Sequence, residues 1–467
     1  MTDKMDIQLT AGFSSVDITP PLGIAIPGYF KIRDAKRILD PLEARCVALS
    51  DGAATALLLA VDTLRIEDCV VAEAKAAISA ATGVPGEAVF LHSTHTHTGG
   101  DMHRTPDALR TGDEAARSAA LTSLYIDFAV RRLADAALLA VRDMAPATLS
   151  AARSTAPRIS FPRRYRMKDG SFATNPGIGN PEIDGPAGIS DDEVLLLRID
   201  RAGKTPIAVV NFQTHPDVIG GENISADWPG FVRRTFEAAL DGGAECVFVN
   251  GTQGDVNHVC VDPRPGELNG LSPDFDDVHR GYAHARHMGR VVACAALGVW
   301  DKCAPLQSGP VRFGTKTVEV PSNAPRPEEM DEARRINALH LAGRDAELPF
   351  CGMALTTAVA GAERKLRLEH GPASFALPLS AIAIGDAVAF AGYPGEPFTA
   401  IGTAVKADSP FALTMNACLT NGARGYFPSA DAYAQGGYES STSDFGPAVT
   451  DILVSGQLAL LRSMLGI

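Results

Sequence analysis

The chain has no C-x-x-C pair, and its eight cysteines, at 46, 69, 246, 260, 294, 303, 351 and 418, are scattered along 467 residues. That spacing excludes a cysteine zinc site and a disulfide framework, and reads as buried free thiols in a reducing compartment. No run of about 18 apolar residues occurs, so no membrane-spanning helix is expected. The first residues, Met1-Thr2-Asp3-Lys4-Met5-Asp6-Ile7-Gln8, carry charge where a secretion signal needs an apolar stretch, and a cytoplasmic location is the expectation. Positive charge is in deficit: 42 Lys and Arg against 55 Asp and Glu give a formal net charge of -13. Such a surface repels phosphate backbones and anionic lipid faces, so the expected partner is a small-molecule substrate, with no nucleic acid and no membrane. A fixed-period repeat and a low-complexity tract are also lacking.

What is present is ordinary for a globular protein. Apolar residues make up 46% and charged residues 21%, and the length is about three typical domains. The first half alternates strands and helices. Ala54 to Val61, Ala88 to His92, Val194 to Ile199, Pro206 to Phe212 and Cys246 to Asn250 read as strands. Helices are expected over Glu67–Ala81, Ala119–Asp143 and Phe231–Leu240, the last capped by Ser225 and Asp227 with Pro229 in its first turn. This alternation argues for an α/β fold of mixed sheets flanked by helices. Composition shifts to Pro, Ser and Gly at 303–330, followed by a charged helical segment, Glu328 to Ala342, so an internal seam or insertion is expected at 303–345. Beyond it Ala381–Ile384 and Ala387–Gly392 read as strands, and Pro397–Ala407 and Asp277–Leu297 as helices.

Chemistry-bearing residues gather where strands run out. His95 and His97, in Ser93-Thr94-His95-Thr96-His97-Thr98-Gly99-Gly100, are two apart on an extended chain end, which points both rings to one face. Neutral imidazole is a common zinc ligand; the bland alternative is a polar loop. His215 follows the apolar run IAVVNF, and strand ends of α/β folds line the usual ligand crevice. Glu396, in Tyr393-Pro394-Gly395-Glu396-Pro397, is equally a candidate ligand or a carboxylate complementing a helix dipole. The loop Gly251-Thr252-Gln253-Gly254-Asp255-Val256-Asn257-His258 allows close backbone approach but lacks the Lys-Ser/Thr of a phosphate loop. Arg163 and Arg164 lie in a basic run, able to meet an anion or oxyanion, and Tyr426 and Tyr438 stand 12 apart in a Gly-rich region. His92 and His103 read as bystanders, and His279, His284 and His287 as surface or packing residues.

In this order, Thr94-His95-Thr96-His97, His215-Pro216, Ser225-Ala226-Asp227, Gly254-Asp255-Val256, Pro394-Gly395-Glu396 and the pair Tyr426 and Tyr438 resemble the catalytic domain of the neutral ceramidase family. The likeness runs from Ala11-Gly12 to Phe445-Gly446-Pro447. It implies one Zn2+ per chain held by His95, His215, Glu396 and Tyr426. His97, Arg163 and Tyr438 would act on the substrate carbonyl, with Arg164 adjacent, and Asp227 and Asp255 would be supports. Two departures stand out. Asn257-His258 replaces the family's Ser-Pro, so Asn257 takes the place of a substrate-contacting serine. The family's immunoglobulin-like C-terminal domain is also not expected here.

The resulting expectation is one catalytic unit over 1–467, a zinc hydrolase of an amide bond in a small soluble molecule. Alternatives are an esterase or lactonase on the same site, a binuclear amidohydrolase-type or metallo-β-lactamase-like enzyme, and a non-catalytic binding protein. The metallo-β-lactamase-like alternative is disfavoured by Thr98-Gly99-Gly100-Asp101 after His97. Oligomeric state is open, a homodimer included.

Overall fold

The computed structural model describes residues 8–105, 109–265 and 281–467. Its centre is a nine-stranded sheet. The order across it is Glu245–Asn250, Lys204–Phe212, Glu193–Arg201, Ala145–Thr155, Thr10–Asp17, Glu43–Ser50, Thr55–Val61 and Val89–Ser93, with Ala304–Leu306 also pairing on Ala145–Thr155. The middle is antiparallel. At each edge a parallel pair is made, Thr55–Val61 with Val89–Ser93 and Lys204–Phe212 with Glu245–Asn250, each through a crossover helix, Asp68–Thr82 and Asp227–Ala239. The sheet curls until its edges meet, for the Asn250 N–H donates to His92 Nε2 at 3.0 Å.

A second sheet, Val311–Pro321, Ser374–Ile384, Val388–Gly392 and Leu413–Ala417, packs into this curl. The core between them mixes Leu49, Leu58, Phe90, Val209 and Val249 with Ile382, Val388, Phe390 and Met415. These strands are apolar on both faces because helices cover the outside. Asp68–Thr82 with Gly112–Arg142, and Asp227–Ala239 with Tyr282–Leu297, back the first sheet. Thr399–Asp408 and Val449–Leu465 back the second. The result is four layers, helix on sheet on sheet on helix.

The expected strands and helices of the first half occur within a few residues, except that the helix expected from Ala119 begins at Gly112. The strands not foreseen include Leu413–Ala417 and four longer ones, Thr10–Asp17, Glu43–Ser50, Ala145–Thr155 and Val311–Pro321. The last falls where composition indicated a seam. It pairs along its whole length with Ser374–Ile384, and its Pro/Ser/Gly-rich look reflects a half-exposed strand flanked by turns. The charged helix is present at Met330–Leu341, as one arm of a hairpin with Gly352–Leu368. The expected helix Asp277–Leu297 is described from Tyr282, and His279 lies outside the described residues. All eight cysteines are free; Cys46, Cys246, Cys260 and Cys418 are buried, whereas Cys69, Cys294 and Cys351 are exposed, contrary to the expectation of burial. Among the described residues no helix is long and apolar enough to cross a membrane.

Candidate metal centre

Where the two sheet edges meet, the chain leaves Val89–Ser93 in an irregular turn. His95 is in the left-handed region, φ 75°, so His95 and His97 are not on an extended chain end. The two rings nevertheless converge, edge to face at 4.9 Å, because the turn is fixed from several sides. Thr94 N–H and His95 N–H donate to Val61 O and Thr63 O. Thr94 Oγ1 donates to Asp62 Oδ1, and Arg233 clasps Asp62 with both terminal nitrogens at 2.8 and 2.5 Å, all of it buried. Backbone strain of this kind collects at functional sites when the surroundings enforce it.

His215 arrives from the end of Lys204–Phe212 and Glu396 from the second sheet. His95 Nε2 lies 3.2 Å from His215 Nε2 and 3.2 Å from Glu396 Oε2, and His215 Nε2 lies 3.4 Å from the same oxygen. Each imidazole uses its other nitrogen on a backbone carbonyl, His95 Nδ1 on Leu64 O at 2.7 Å and His215 Nδ1 on Gln253 O at 3.1 Å. Those contacts put the proton on Nδ1 and leave a lone pair on each Nε2. Three acceptors therefore face one another, an arrangement that is repulsive until a cation sits between them. Tetrahedral zinc with bonds of about 2.0–2.1 Å separates its ligands by about 3.4 Å. The donor set fits that ion.

His95, His97 and His215 also form a group with ring nitrogens within 4.8 Å. Of the two triplets, the one with Glu396 is tighter and supplies the negative charge, so His97 is better placed as a neighbour. Its two ring nitrogens are buried and have no hydrogen-bond partner among the described residues. Burial, then the neighbouring His95, holds His97 well below its usual range. Burial, then Arg163 and His95, pushes His215 to about 3. Burial opposes ionisation of Glu396, but His95 and then His215 outweigh it and hold the carboxyl well below its ordinary value. At neutral pH the cluster is an anionic carboxylate beside neutral His97 and His215.

Glu396 pairs in parallel with Tyr426, whose ring lies alongside His215 at 6.4 Å and 21°. Arg163 Nη1 is 3.5 Å from the Tyr426 hydroxyl, and the Tyr438 ring meets Tyr426 edge-on at 5.8 Å. Burial raises both phenols, and Glu396 adds to it. The remaining two expected residues are engaged elsewhere. Arg164 donates to Gln435 Oε1 at 2.5 Å, because neighbours in an extended segment face opposite ways, and Asn257 spends its amide on Asn175 and on Val259 N–H.

The expected supports have definite partners. Asp255 Oδ1 accepts from Thr399 N–H and Oγ1, tying the 251–258 loop to the helix after Glu396. Gly254 permits this, since a Cβ there would lie 2.5 Å from Glu396 O. Asp227 takes Trp228 N–H and Ile219 N–H, bracing the chain after His215, and its own N–H donates to Ser225 Oγ. His92 is a structural clasp, with Nδ1 on Cys418 O and Nε2 on Asn250 N–H. Sequence reading missed Asp62, Gln253, Asp217 and Glu439. Asp217, buried two residues after His215, meets His258 Nδ1 at 3.1 Å. Its place in His-Pro-Asp was the one available signal.

Against solved structures, the chain matches neutral ceramidase from Pseudomonas aeruginosa with TM-score 0.68 and 17% identity, over 98% of this chain and 75% of that one. The chain has the neutral ceramidase fold. A ceramidase complexed with C2 matches with TM-score 0.65 and 16% identity, over 98% and 76% of the two chains. No protein-family model matches the sequence, and no curated protein matches it. The ceramidase fold thus carries a sequence that has diverged far from those two structures.

Proposed function

We propose that this ceramidase-fold protein is a zinc-dependent hydrolase that cleaves an amide bond in a small soluble molecule. The observation that carries the reading is the convergence of His95 Nε2, His215 Nε2 and Glu396 Oε2 at 3.2–3.4 Å with their proton-bearing nitrogens turned away. Tyr426 completes the ligand set. A zinc ion held there supplies Lewis acidity, polarising a carbonyl and acidifying water. His97, buried and neutral, accepts a proton at a ring nitrogen and returns it to the leaving amine. Arg163 and Tyr438 donate to the oxygen that gains charge as the carbonyl is attacked, each worth roughly 3 kcal/mol when well placed. Arg163 keeps its charge throughout, since its neighbours Tyr426 and Glu439 outweigh the opposing effect of burial.

His95, His97, His215 and Arg163 are each under a tenth exposed, so the reacting group must reach into a confined cleft. The net charge of -13 disfavours work at an anionic lipid surface, which supports a soluble substrate. The test is metal analysis of the purified protein with assays on N-acyl amides, short-chain N-acylsphingosine, esters and lactones. About one zinc per chain and preferential amide cleavage are expected, both lost in His215→Ala. Retained zinc in that variant would sink the ligand assignment. Two metals per chain would revive the binuclear alternative. A zinc-loaded protein inert on the whole panel would leave a binding protein.

A further inference from the structure

Glu439 is fully buried on the short helix Tyr438–Thr442, and neither carboxylate oxygen has a hydrogen-bond partner among the described residues. It does not cap its own helix, which spans only five residues. Among the described residues its one close cation is Arg163, with Nε 3.4 Å from Oε1, at side-chain exposures of 8% and 0%. The Arg163 backbone is pinned on both sides, its N–H on Asp255 O at 2.8 Å and its carbonyl on Asn175 N–H at 2.7 Å. From that fixed root the guanidinium runs between two neighbours, with Nε toward Glu439 and Nη1 toward Tyr426. Arg163 Nε has no hydrogen-bond partner among the described residues, so its contact with Glu439 is an ion pair, and that charge together with Tyr426 directs the planar fork. A buried carboxylate without hydrogen bonds is costly unless a counter-charge stands beside it, so the pair holds itself together.

We infer that Glu439 is a positioning residue: it fixes the Arg163 fork beside Tyr426, so that the free guanidinium edge faces the carbonyl oxygen of the substrate. The inference rests on the hydrolase reading and adds to it a residue that acts on the substrate through Arg163. Without Glu439, Arg163 keeps its charge and loses its aim.

The experiment compares Glu439→Gln, Glu439→Asp, Arg163→Ala and the double variant Glu439→Gln/Arg163→Ala, using the best substrate from the panel. Glu439→Gln should keep its zinc, lose about 10–100-fold in kcat, the usual cost of removing such a support, and leave KM nearly unchanged. The double variant should be no slower than Arg163→Ala, because the two act as one unit. Glu439→Asp should fall between Glu439→Gln and the wild type. Crystallography of metal-free Glu439→Gln supplies a readout besides activity, with Arg163 expected to leave Tyr426. A wild-type kcat in Glu439→Gln, or losses that add fully in the double variant, would overturn the inference. If Glu439→Gln does not fold, a wild-type kcat in Glu439→Asp overturns it. If the wild type cleaves nothing in the panel, the hydrolase reading fails, and the crystal structure still decides: an unmoved Arg163 overturns the positioning role.

Discussion

The cleft and the helical hairpin both carry an Arg–Glu pair, Arg163–Glu439 at 3.4 Å and Arg335–Glu332 at 2.7 Å. By distance the hairpin pair is the better one. Arg335 and Glu332 are about half exposed, at 47% and 54%, where water screens the attraction and side-chain entropy offsets the rest. Arg163 and Glu439 have no water to fall back on, so each is bound to the other's presence. The same contrast separates the two regions as a whole. On the hairpin, Arg335 and Glu332 sit three residues apart along one helix and could be exchanged with little effect, while Arg334–Glu369 and Lys365–Glu329 bridge the two arms. In the site, buried polar atoms from distant segments face one another, and those of His97 and Glu439 have no hydrogen-bond partner among the described residues.

The contrast breaks most visibly if a ligand is neutralised in place. Glu396→Gln keeps the volume and removes the charge, and should abolish zinc binding with a loss of activity beyond the roughly 100-fold that a supporting hydrogen bond costs. Metal analysis checks it, and full zinc in the variant would move the site toward the three histidines.

Next in size is the clasp under His95. Asp62→Ala leaves buried Arg233 with only the more distant Glu43 carboxylate, 3.5 Å from Nη2, as counter-charge, and the expected loss is about 3 kcal/mol in urea unfolding. A loss under about 1 kcal/mol would class this pair with the surface ones.

His92 gives a smaller, pH-dependent effect. Burial, opposed by its bond to Cys418 O, lowers it from 6.5 to about 4. The unfolded chain therefore binds the proton first, and stability present above pH 6.5 is lost as pH falls toward 4. The loss approaches about 3 kcal/mol at pH 4. Unfolding at pH 7 and pH 4 should show a steeper fall for the wild type than for His92→Gln, and equal falls would remove His92 from the account. Smallest of all, Arg335→Ala should leave the denaturant midpoint where it was, and a clear shift would show that the hairpin is held by its charges.

Much of the site was legible because its residues sit at strand ends, and strands made of Ala54–Val61 or IAVVNF are recognisable without a fold. His95, His97, His215 and Glu396 all leave or enter such runs. Ala145–Thr155 was not legible, since APATLSAARST has few large apolar residues and one half-exposed face. Thr10–Asp17 and Glu43–Ser50 carry charges and hydroxyls among their apolar residues, which blurs the alternation. Glu439 lies in a Gly-rich stretch with little periodicity, and Asp62 follows directly on an apolar strand run. Their roles depend on partners 276 and 171 positions away, Arg163 and Arg233, which no local pattern announces.

The sequence by itself determined the donor types, their order, their positions at chain breaks and the acidic field around them, because these depend on local composition and hydrophobic period. Tertiary structure decided that opposite edges of one sheet meet and that a second sheet delivers Glu396 between them. It also decided which nitrogen of each histidine faces inward, through carbonyls at Leu64 and Gln253. Convergence of that kind comes from sheet curl and core packing across the whole chain. The proposed metal site, drawn from four distant segments, therefore comes together only once the fold is complete.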